Sequence, residues 1–264
     1  MSDRSVLSAA RRRVLCSLYR RAVPLVNRGP IVSFTFDDFP RTACSAGAAV
    51  LEHFGARGTY YTAFGLMNTS SELGELFHSE DLDALLEKGH ELASHTFSHV
   101  SCRSISLAGF RSDVEKGKKA TGSVAGSNSG NFAYPFGDIT LQAKRTLGPC
   151  LTSSRSVIPG FNGPEIDLNL LRANRLFGDT DQSRHIENLI LQNLTQKSWL
   201  IFYTHDVRPR PSEYGCTPAL LEFAVSFAAR SGSRILTVQK ALAEIGLEPL
   251  NSVEGPRTLP SLHV

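Results

Sequence analysis

Short β-rich runs alternate with helical stretches from residue 31 onward, and this alternation constrains the fold of the 264-residue chain more than any other feature. Helical periodicity is clearest at residues 79–89, 184–194 and 218–229. The predicted strands cover residues 31–36, 59–63, 91–94, 131–134, 151–154, 170–175, 200–204 and 234–237. Because strands that alternate with helices form mainly parallel sheets, seven or eight of them can close into a barrel. The sequence therefore predicts an α/β fold built on one parallel sheet.

Charge separates an N-terminal arm from the rest of the chain. Residues 1–30 carry a net charge of +6, whereas the remaining residues carry −3. Apolar residues at helical spacing in 14–19, with arginines opposite, predict an amphipathic helix that packs on the domain. Weak contact with an anionic membrane surface is the alternative use of such a face. We predict a basic helical arm at residues 1–28, a barrel domain at 29–250 and an irregular tail at 251–264.

The arm does not have the continuous apolar stretch of a secretion signal, because arginines interrupt it. No later run reaches membrane-spanning length. The five cysteines are scattered and include no CxxC pair, which fits free thiols in a reducing compartment. We therefore expect a cytoplasmic protein without a transmembrane segment. The mildly acidic body gives no reason to expect nucleic-acid binding, and the sequence does not indicate an oligomeric state.

Acids and histidines follow the predicted strands, where the loops of a parallel barrel converge on one rim. Asp37 and Asp38 follow the first strand, His95 and His99 the third, and His205 the strand at 200–204. Two histidines four apart on a helical turn can reach one ion, and a carboxylate can supply a third ligand. Such a set leaves coordination positions open, as in catalytic metal sites. Ordinary helix histidines and a solvated acidic turn are the alternatives.

In this order the motifs resemble those of the polysaccharide deacetylases, the NodB-homology domain of carbohydrate esterase family 4. The matching segments are TFDD at 35–38, GHE at 89–91, SHTFSH at 94–99, FAYPFG at 132–137 and LIFYTHD at 200–206. The resemblance spans about residues 29–246. It implies a distorted (β/α) barrel of seven or eight mainly parallel strands. It also implies one divalent metal ion on Asp38, His95 and His99, usually Zn²⁺, with Co²⁺ or Ni²⁺ as alternatives.

The same resemblance implies the reaction, which is hydrolysis of an N-acetyl group on a sugar to give acetate and a free amine. Asp37 would be the catalytic base, and His205 would be the acid that protonates the departing amine. A backbone N–H near Phe136 would hold the developing oxyanion. The rings of Tyr134, Phe136 and Tyr214 are candidates for stacking against the sugar. The expected substrate is an N-acetylglucosamine-containing oligosaccharide or glycan precursor.

The sequence departs from the family pattern at three places. Ala133 and Phe136 stand where an arginine and a tyrosine are usual, and Phe39 where glycine is common. That arginine would steady the catalytic base, and its candidate replacements are Arg155, Arg172 and Arg175. The aspartate–tryptophan motif that tunes the catalytic acid is absent as such, and Asp179 and Asp181 are candidates for its role.

These departures leave two other functions open. The first is a metal-dependent hydrolase of a non-sugar amide or a cyclic imide on the same barrel, because fold similarity does not separate such substrates. The second is a glycan-binding protein with weakened catalysis.

Overall fold

The computed structural model describes residues 9–26, 29–126 and 130–247, excepting the side chains of residues 9–11. The predicted tail and the first eight residues of the predicted arm lie outside these ranges. The helices are α1 (Ala9–Ser17), α2 (Ala48–His53), α3 (Ser79–Glu87), α4 (Leu107–Ala125), α5 (Leu141–Leu147), α6 (Ser183–Gln196), α7 (Pro218–Arg230) and α8 (Val238–Glu244). The strands are β1 (Ala22–Pro24), β2 (Ile31–Asp37), β3 (Thr59–Thr62), β4 (Ser70–Ser71), β5 (Gly74–Glu75), β6 (Glu91–Ser94), β7 (Asn131–Ala133), β8 (Ser153–Arg155), β9 (Glu165–Asp167), β10 (Asn174–Arg175), β11 (Trp199–Thr204) and β12 (Arg234–Ile235).

The main sheet has eight strands, all parallel to their neighbours. Seven follow the order β10-β11-β2-β3-β6-β7-β8, and β12 also pairs with β2. The two ends of this sheet approach each other at Leu171, which donates a backbone hydrogen bond to Ser154 and accepts one from Ser156, both 2.8 Å long. The sheet therefore curls into a distorted barrel, and the predicted fold class is confirmed.

The alternation of side chains along β2 sets what faces the barrel interior. Val32, Phe34 and Phe36 belong to an apolar cluster that includes residues of α2 and α7. Since successive side chains of a strand point to opposite faces, Thr35 and Asp37 face the interior. All seven residues of the strand are buried. The strand thus delivers a carboxylate to the inner rim of the barrel.

All eight predicted strands are present, although several are shorter than predicted. The strand predicted at 170–175 reduces to β10, because residue 171 bonds to the end of β8 instead. The helix α4 was not predicted. The buried stripe of α4 begins with Phe110 and Val114 but continues with Gly117 and Thr121, so its apolar periodicity fades toward the end.

Residues 9–24 are fixed on the barrel. Leu15 of α1 is buried in an apolar cluster with residues of α5 and β7. The ammonium group of Lys144 donates hydrogen bonds to the Leu15 carbonyl (2.8 Å) and to the Asp167 carboxylate (2.6 Å). Strand β1 pairs antiparallel with β9. Within the described ranges, no helix has the length and apolar character needed to cross a bilayer. The division into arm, domain and tail stays a prediction.

Candidate metal centre and active site

The turn after β2 sends two adjacent carboxylates in different directions. Asp37 is the last residue of the strand, and Asp38 has a left-handed backbone with φ of 46°. Such a backbone is uncommon for residues other than glycine, although aspartate tolerates it better than most. Because the chain bends at Asp38, its carboxylate meets the histidines, while Asp37 remains directed into the barrel. The two acids therefore have different partners.

His95 and His99 lie in a loop rather than on the helical turn that the sequence predicted. The loop follows β6 and contains two left-handed residues, Thr96 (φ 62°) and His99 (φ 52°), which bring the imidazoles together without helical spacing. Nδ1 of His95 donates a 2.8 Å hydrogen bond to the Ala133 carbonyl. Because a carbonyl can only accept, this bond leaves the Nε2 lone pair of His95 free to bind a cation.

Asp38, His95 and His99 form one candidate metal centre. Nε2 of His99 lies 2.9 Å from one carboxylate oxygen of Asp38, and Nε2 of His95 lies 3.7 Å from the other. If one possible ligand atom is taken from each residue, the three atoms all lie within 4.8 Å of one another. Among the described residues, Asp38 Oδ1 is buried without a hydrogen-bond partner. Buried polar atoms left unsatisfied are costly, so this arrangement fits a bound cation.

Protonation states at this centre suit cation binding. Burial raises the pKa of Asp38, but the charge of His95 and the hydrogen bond and charge of His99 outweigh it and lower the pKa to about 2. Burial lowers the pKa of His95 to about 4, against the opposing charge of Asp38. At neutral pH the centre therefore offers a carboxylate and a neutral imidazole, which are the forms that bind metal ions.

Helix α4 holds the histidine loop from behind. The Asp113 carboxylate accepts hydrogen bonds from the amides of Phe97 (3.0 Å) and Ser98 (2.9 Å) and from the Ser98 hydroxyl (2.9 Å). One turn further along the helix, Gly117 packs against the backbone of Thr96, where an added Cβ would lie 2.4 Å from the carbonyl carbon. The sequence reasoning missed both supports, because nothing in an isolated Asp113 or Gly117 indicates what the helix packs against.

Asp37 is held by a buried arginine. The guanidinium of Arg155 donates a short hydrogen bond from Nη2 to Oδ2 of Asp37. It lies between two aromatic rings, with its Cζ 4.8 Å from the ring centre of Tyr61 and 5.2 Å from that of Tyr203. Burial would lower the pKa of Arg155, but Asp37 raises it, so the arginine stays charged. Asp37 Oδ1 is buried without a hydrogen-bond partner in the described part of the chain.

The other two candidate arginines point elsewhere. Arg172 donates to the Pro159 carbonyl and to Cys16, and Arg175 lies over the Phe177 ring with its Cζ 5.8 Å from the ring centre. Of the three candidate arginines, Arg155 is therefore the one that contacts Asp37 in the described structure. It belongs to β8, and it pairs in register with Ala133 of β7, the position where the family usually has its arginine.

His205 follows β11 and lies close enough to Asp38 for its charge to lower the pKa of that carboxylate. Its Nδ1 donates a 3.1 Å hydrogen bond to the Tyr214 carbonyl, which leaves Nε2 available. The loop that carries Tyr214 is fastened by the buried Asp206, which accepts from the Ser212 amide (2.9 Å) and contacts Arg208 Nε at 2.7 Å. A backbone carbonyl thus orients His205, and no side-chain motif could have revealed it.

Asp179 and Asp181 do not contact His205 in the described structure. Asp179 caps a short helical turn by accepting from the Thr180 amide, and it also accepts from the Thr217 hydroxyl. The Asp181 carboxylate accepts a hydrogen bond from the Gln182 side chain, and no other side-chain hydrogen bond to it is seen among the described residues. The suggestion that either residue tunes the catalytic acid is therefore wrong, because the Asp179 carboxylate binds Thr180 and Thr217 and the Asp181 carboxylate binds Gln182.

The three candidate aromatic residues differ in exposure. Tyr134 is only 2% exposed and packs edge-on against Phe132 within the core, so the suggestion that its ring stacks on a sugar is wrong. Phe136 is 59% exposed, has φ of 59°, and its ring centre lies 4.4 Å from that of His99. Tyr214 is 41% exposed, with its ring centre 5.7 Å from that of His205. Phe136 and Tyr214 therefore border the rim beside His99 and His205.

Comparison with known families agrees with these features. The family model described as polysaccharide deacetylase matches residues 26–148, which include Asp37 and the three candidate ligands. Over these residues the chain is homologous to the polysaccharide deacetylases. Enzymes of this family are hydrolases that act on N-acetyl bonds, as the motifs implied. No curated protein sequence matches the chain significantly.

Solved structures of two deacetylases and of an acetyl xylan esterase share the fold at low sequence identity. The chitin deacetylase of the fungal pathogen Colletotrichum lindemuthianum is 17% identical, with a TM-score of 0.58 over 83% of this chain and 90% of its own. The Bc1960 peptidoglycan N-acetylglucosamine deacetylase is 16% identical, with a TM-score of 0.55 over the same shares. A family 4 acetyl xylan esterase from Clostridium thermocellum, in complex with a cobalt ion, is 15% identical, with a TM-score of 0.53 over 82% and 92%.

Proposed function

We propose that this protein is a metal-dependent deacetylase that removes N-acetyl groups from a saccharide and releases acetate and a free amine. One observation carries the proposal. Asp38, His95 and His99 converge on one point at the rim, while the neighbouring Asp37 is held by Arg155 and keeps one oxygen without a partner. A carboxylate placed beside a candidate cation site, but not part of it, suits the role of general base.

The residues divide the chemistry among them. A divalent cation bound at this centre would polarise the acetyl carbonyl and increase the acidity of water. Asp37 accepts the proton from the attacking water at Oδ1, while Arg155 fixes its other oxygen. His205 donates a proton from Nε2 to the departing amine, since its Nδ1 is engaged by the Tyr214 carbonyl. The Phe136 amide is our candidate donor to the developing oxyanion, a role typically worth about 3 kcal/mol.

Two nitrogen ligands and one oxygen ligand suit Zn²⁺, and Co²⁺ or Ni²⁺ would accept the same set. We propose Zn²⁺ as the resident ion. Phe136 and Tyr214 flank the centre and would contact the sugar, since exposed aromatic rings offer apolar surface with a polar edge. Among the proteins of similar fold are a chitin deacetylase and a peptidoglycan N-acetylglucosamine deacetylase, which supports an N-acetylglucosamine-containing substrate.

Acetate release from N-acetylated chito-oligosaccharides tests the function. A chelator should abolish release, and added Zn²⁺ or Co²⁺ should restore it. Asp37→Asn should reduce turnover by about 10²–10⁴-fold while metal binding persists, whereas Asp181→Asn, at an exposed acid outside the site, should leave both unchanged. Full activity in chelator, or normal turnover by Asp37→Asn, would contradict the proposal. Activity on cyclic imides but not on acetylated sugars would instead favour the non-sugar hydrolase.

We further propose that the protein acts in the cytoplasm, on a glycan precursor. All five cysteines are free, as expected in a reducing compartment. Cell fractionation with an antibody to the chain tests this location, and recovery of the protein in the culture medium would contradict it.

A further inference from the structure

The outer side of α1 and the two residues after it expose apolar side chains, although the helix itself is packed on the barrel. Val14, Leu18 and Tyr19 are 44%, 46% and 45% exposed, whereas Leu15 between them is 2% exposed. Leu18 directly follows α1, and its amide donates a 3.0 Å hydrogen bond to the Val14 carbonyl, so the helical spacing of four residues continues and the two side chains lie on the same side. We call Val14, Leu18, Tyr19 and the neighbouring Arg12 and Arg13 the arm surface.

The orientation of this surface is fixed by the contacts beneath it. Burial of Leu15 and the 2.8 Å hydrogen bond from Lys144 to the Leu15 carbonyl set the rotation of α1. The pairing of β1 with β9 then fixes the chain beyond the helix. The exposed apolar residues therefore cannot turn inward to join the core, and their exposure is a property of the folded protein.

The charges around the arm surface are mainly positive. No acidic partner is seen for Arg12, Arg13 or Arg172 in the described residues, and Arg145 lies over the Tyr19 ring with its Cζ 5.6 Å from the ring centre. The two acids of β9 are already paired, Glu165 with Arg20 at 2.6 Å and Asp167 with Lys144 at 2.6 Å. The arginines thus retain their positive charge for a partner outside the chain.

Two hollows border α1 and differ in character. One, of about 370 Å³, is lined mainly by apolar groups of Val14, Leu15, Ile139 and Leu141. The other, of about 190 Å³, is lined by Arg12, Arg13, Cys16 and Arg172. An apolar groove beside a cluster of guanidinium groups matches a ligand that has both a hydrocarbon part and an anionic head.

We propose that the arm surface docks on the anionic face of a lipid bilayer. Exposed apolar residues between arginines are the composition of helices that lie in the membrane interface, and anionic lipids attract such arginines. A second copy of the chain fits less well, since a symmetric contact through this face would bring the arginines of both copies together. Duplex DNA would use the arginines but gives no reason for exposed Val14 and Leu18.

Co-sedimentation of the full-length protein with vesicles tests this docking. We expect binding to phosphatidylcholine vesicles that contain phosphatidylglycerol, little binding to phosphatidylcholine alone, and weakening as salt rises. Replacing both arginines, Arg12→Gln with Arg13→Gln, should weaken binding by roughly 25-fold, since each basic residue contributes about fivefold. Val14→Ser with Leu18→Ser should also weaken it, whereas Leu191→Ser, at an equally exposed leucine of α6 (43%), should not.

Deacetylation of a soluble oligosaccharide should be the same in all these variants, so loss of docking and failure of the proposed function are distinguishable. Unfolding curves check that each variant is folded. Absence of binding to the anionic vesicles, or binding that the arm variants leave unchanged, overturns the proposal. Two other results overturn it as well. One is self-association without vesicle binding that is lost in the Val14→Ser with Leu18→Ser variant, and the other is binding to duplex DNA in place of vesicles.

Discussion

Replacement of Gly117 by alanine should disable the candidate metal centre from a distance. The added methyl carbon would lie 2.4 Å from the carbonyl carbon of Thr96, 2.5 Å from its oxygen and 2.8 Å from the Phe97 nitrogen. Comfortable contacts of this kind are about 3.5–4.0 Å, so helix and loop must separate by roughly 1 Å. The obstacle is backbone on both sides, and no side-chain rotation relieves it.

Two measurable effects follow from that displacement. Overpacking of this kind typically costs about 1–3 kcal/mol of unfolding free energy. The displaced loop carries His95 and His99, and loss of a support behind a metal ligand commonly lowers metal affinity about 10–100-fold. We expect both effects in Gly117→Ala, measured by denaturant unfolding of the metal-free protein and by calorimetric titration with Zn²⁺.

Gly109→Ala is the matched control, because it makes the same change near the start of the same helix. Its methyl group would lie 3.2 Å from the Ser106 hydroxyl and 3.7 Å from Ile105, and would meet no backbone. Alanine in place of a helical glycine should leave Zn²⁺ affinity unchanged and stabilise the fold by about 0.5–1 kcal/mol. If Gly117→Ala binds Zn²⁺ as tightly as Gly109→Ala does, the idea that α4 holds the loop in place is wrong.

Three further predictions concern the surroundings of the site. Arg155→Ala should destabilise the fold by about 3–5 kcal/mol, since it leaves Asp37 buried without its charged partner. Adding Ala133→Arg to this variant should recover part of both the stability and the turnover. No recovery in either assay would contradict the idea that an arginine at position 133 can replace Arg155 beside Asp37. Asp113→Asn should lower Zn²⁺ affinity about tenfold, because one side-chain oxygen then replaces two as acceptors for the histidine loop, and an unchanged titration would exclude this role. Burial lowers the pKa of His90, so below the ordinary histidine pKa of about 6.5 the folded protein binds fewer protons than the unfolded chain and loses stability as the pH falls. The loss of unfolding free energy between about pH 7 and pH 5 should therefore be smaller in His90→Asn. Equal slopes in the two proteins would argue against this role of His90.

The sequence predicted those parts of the site that lie on or directly after strands. A strand fixes the direction of its side chains and the rim at which they emerge, so Asp37, Asp38 and His205 could be placed from pattern alone. The conformation of the histidine loop could not be predicted in this way. Spacing of four residues suggested a helical turn, but left-handed Thr96 and His99 give the loop its shape, and the backbone of Thr96 packs against α4.

The arginine that holds Asp37 shows a second limit, which concerns register. A motif records positions along one strand, whereas a guanidinium can reach the same carboxylate from the neighbouring strand if the two positions are paired. Ala133 and Arg155 are 22 residues apart in the sequence but opposite each other in the parallel pairing of β7 with β8. Residues paired in this way present their side chains to the same face of the sheet, so an arginine at either position starts from nearly the same place. The sequence offered three arginines as replacements, and only the register distinguishes them. The missing motif arginine therefore does not leave Asp37 without a charged partner, because Arg155 supplies the charge from the adjacent strand.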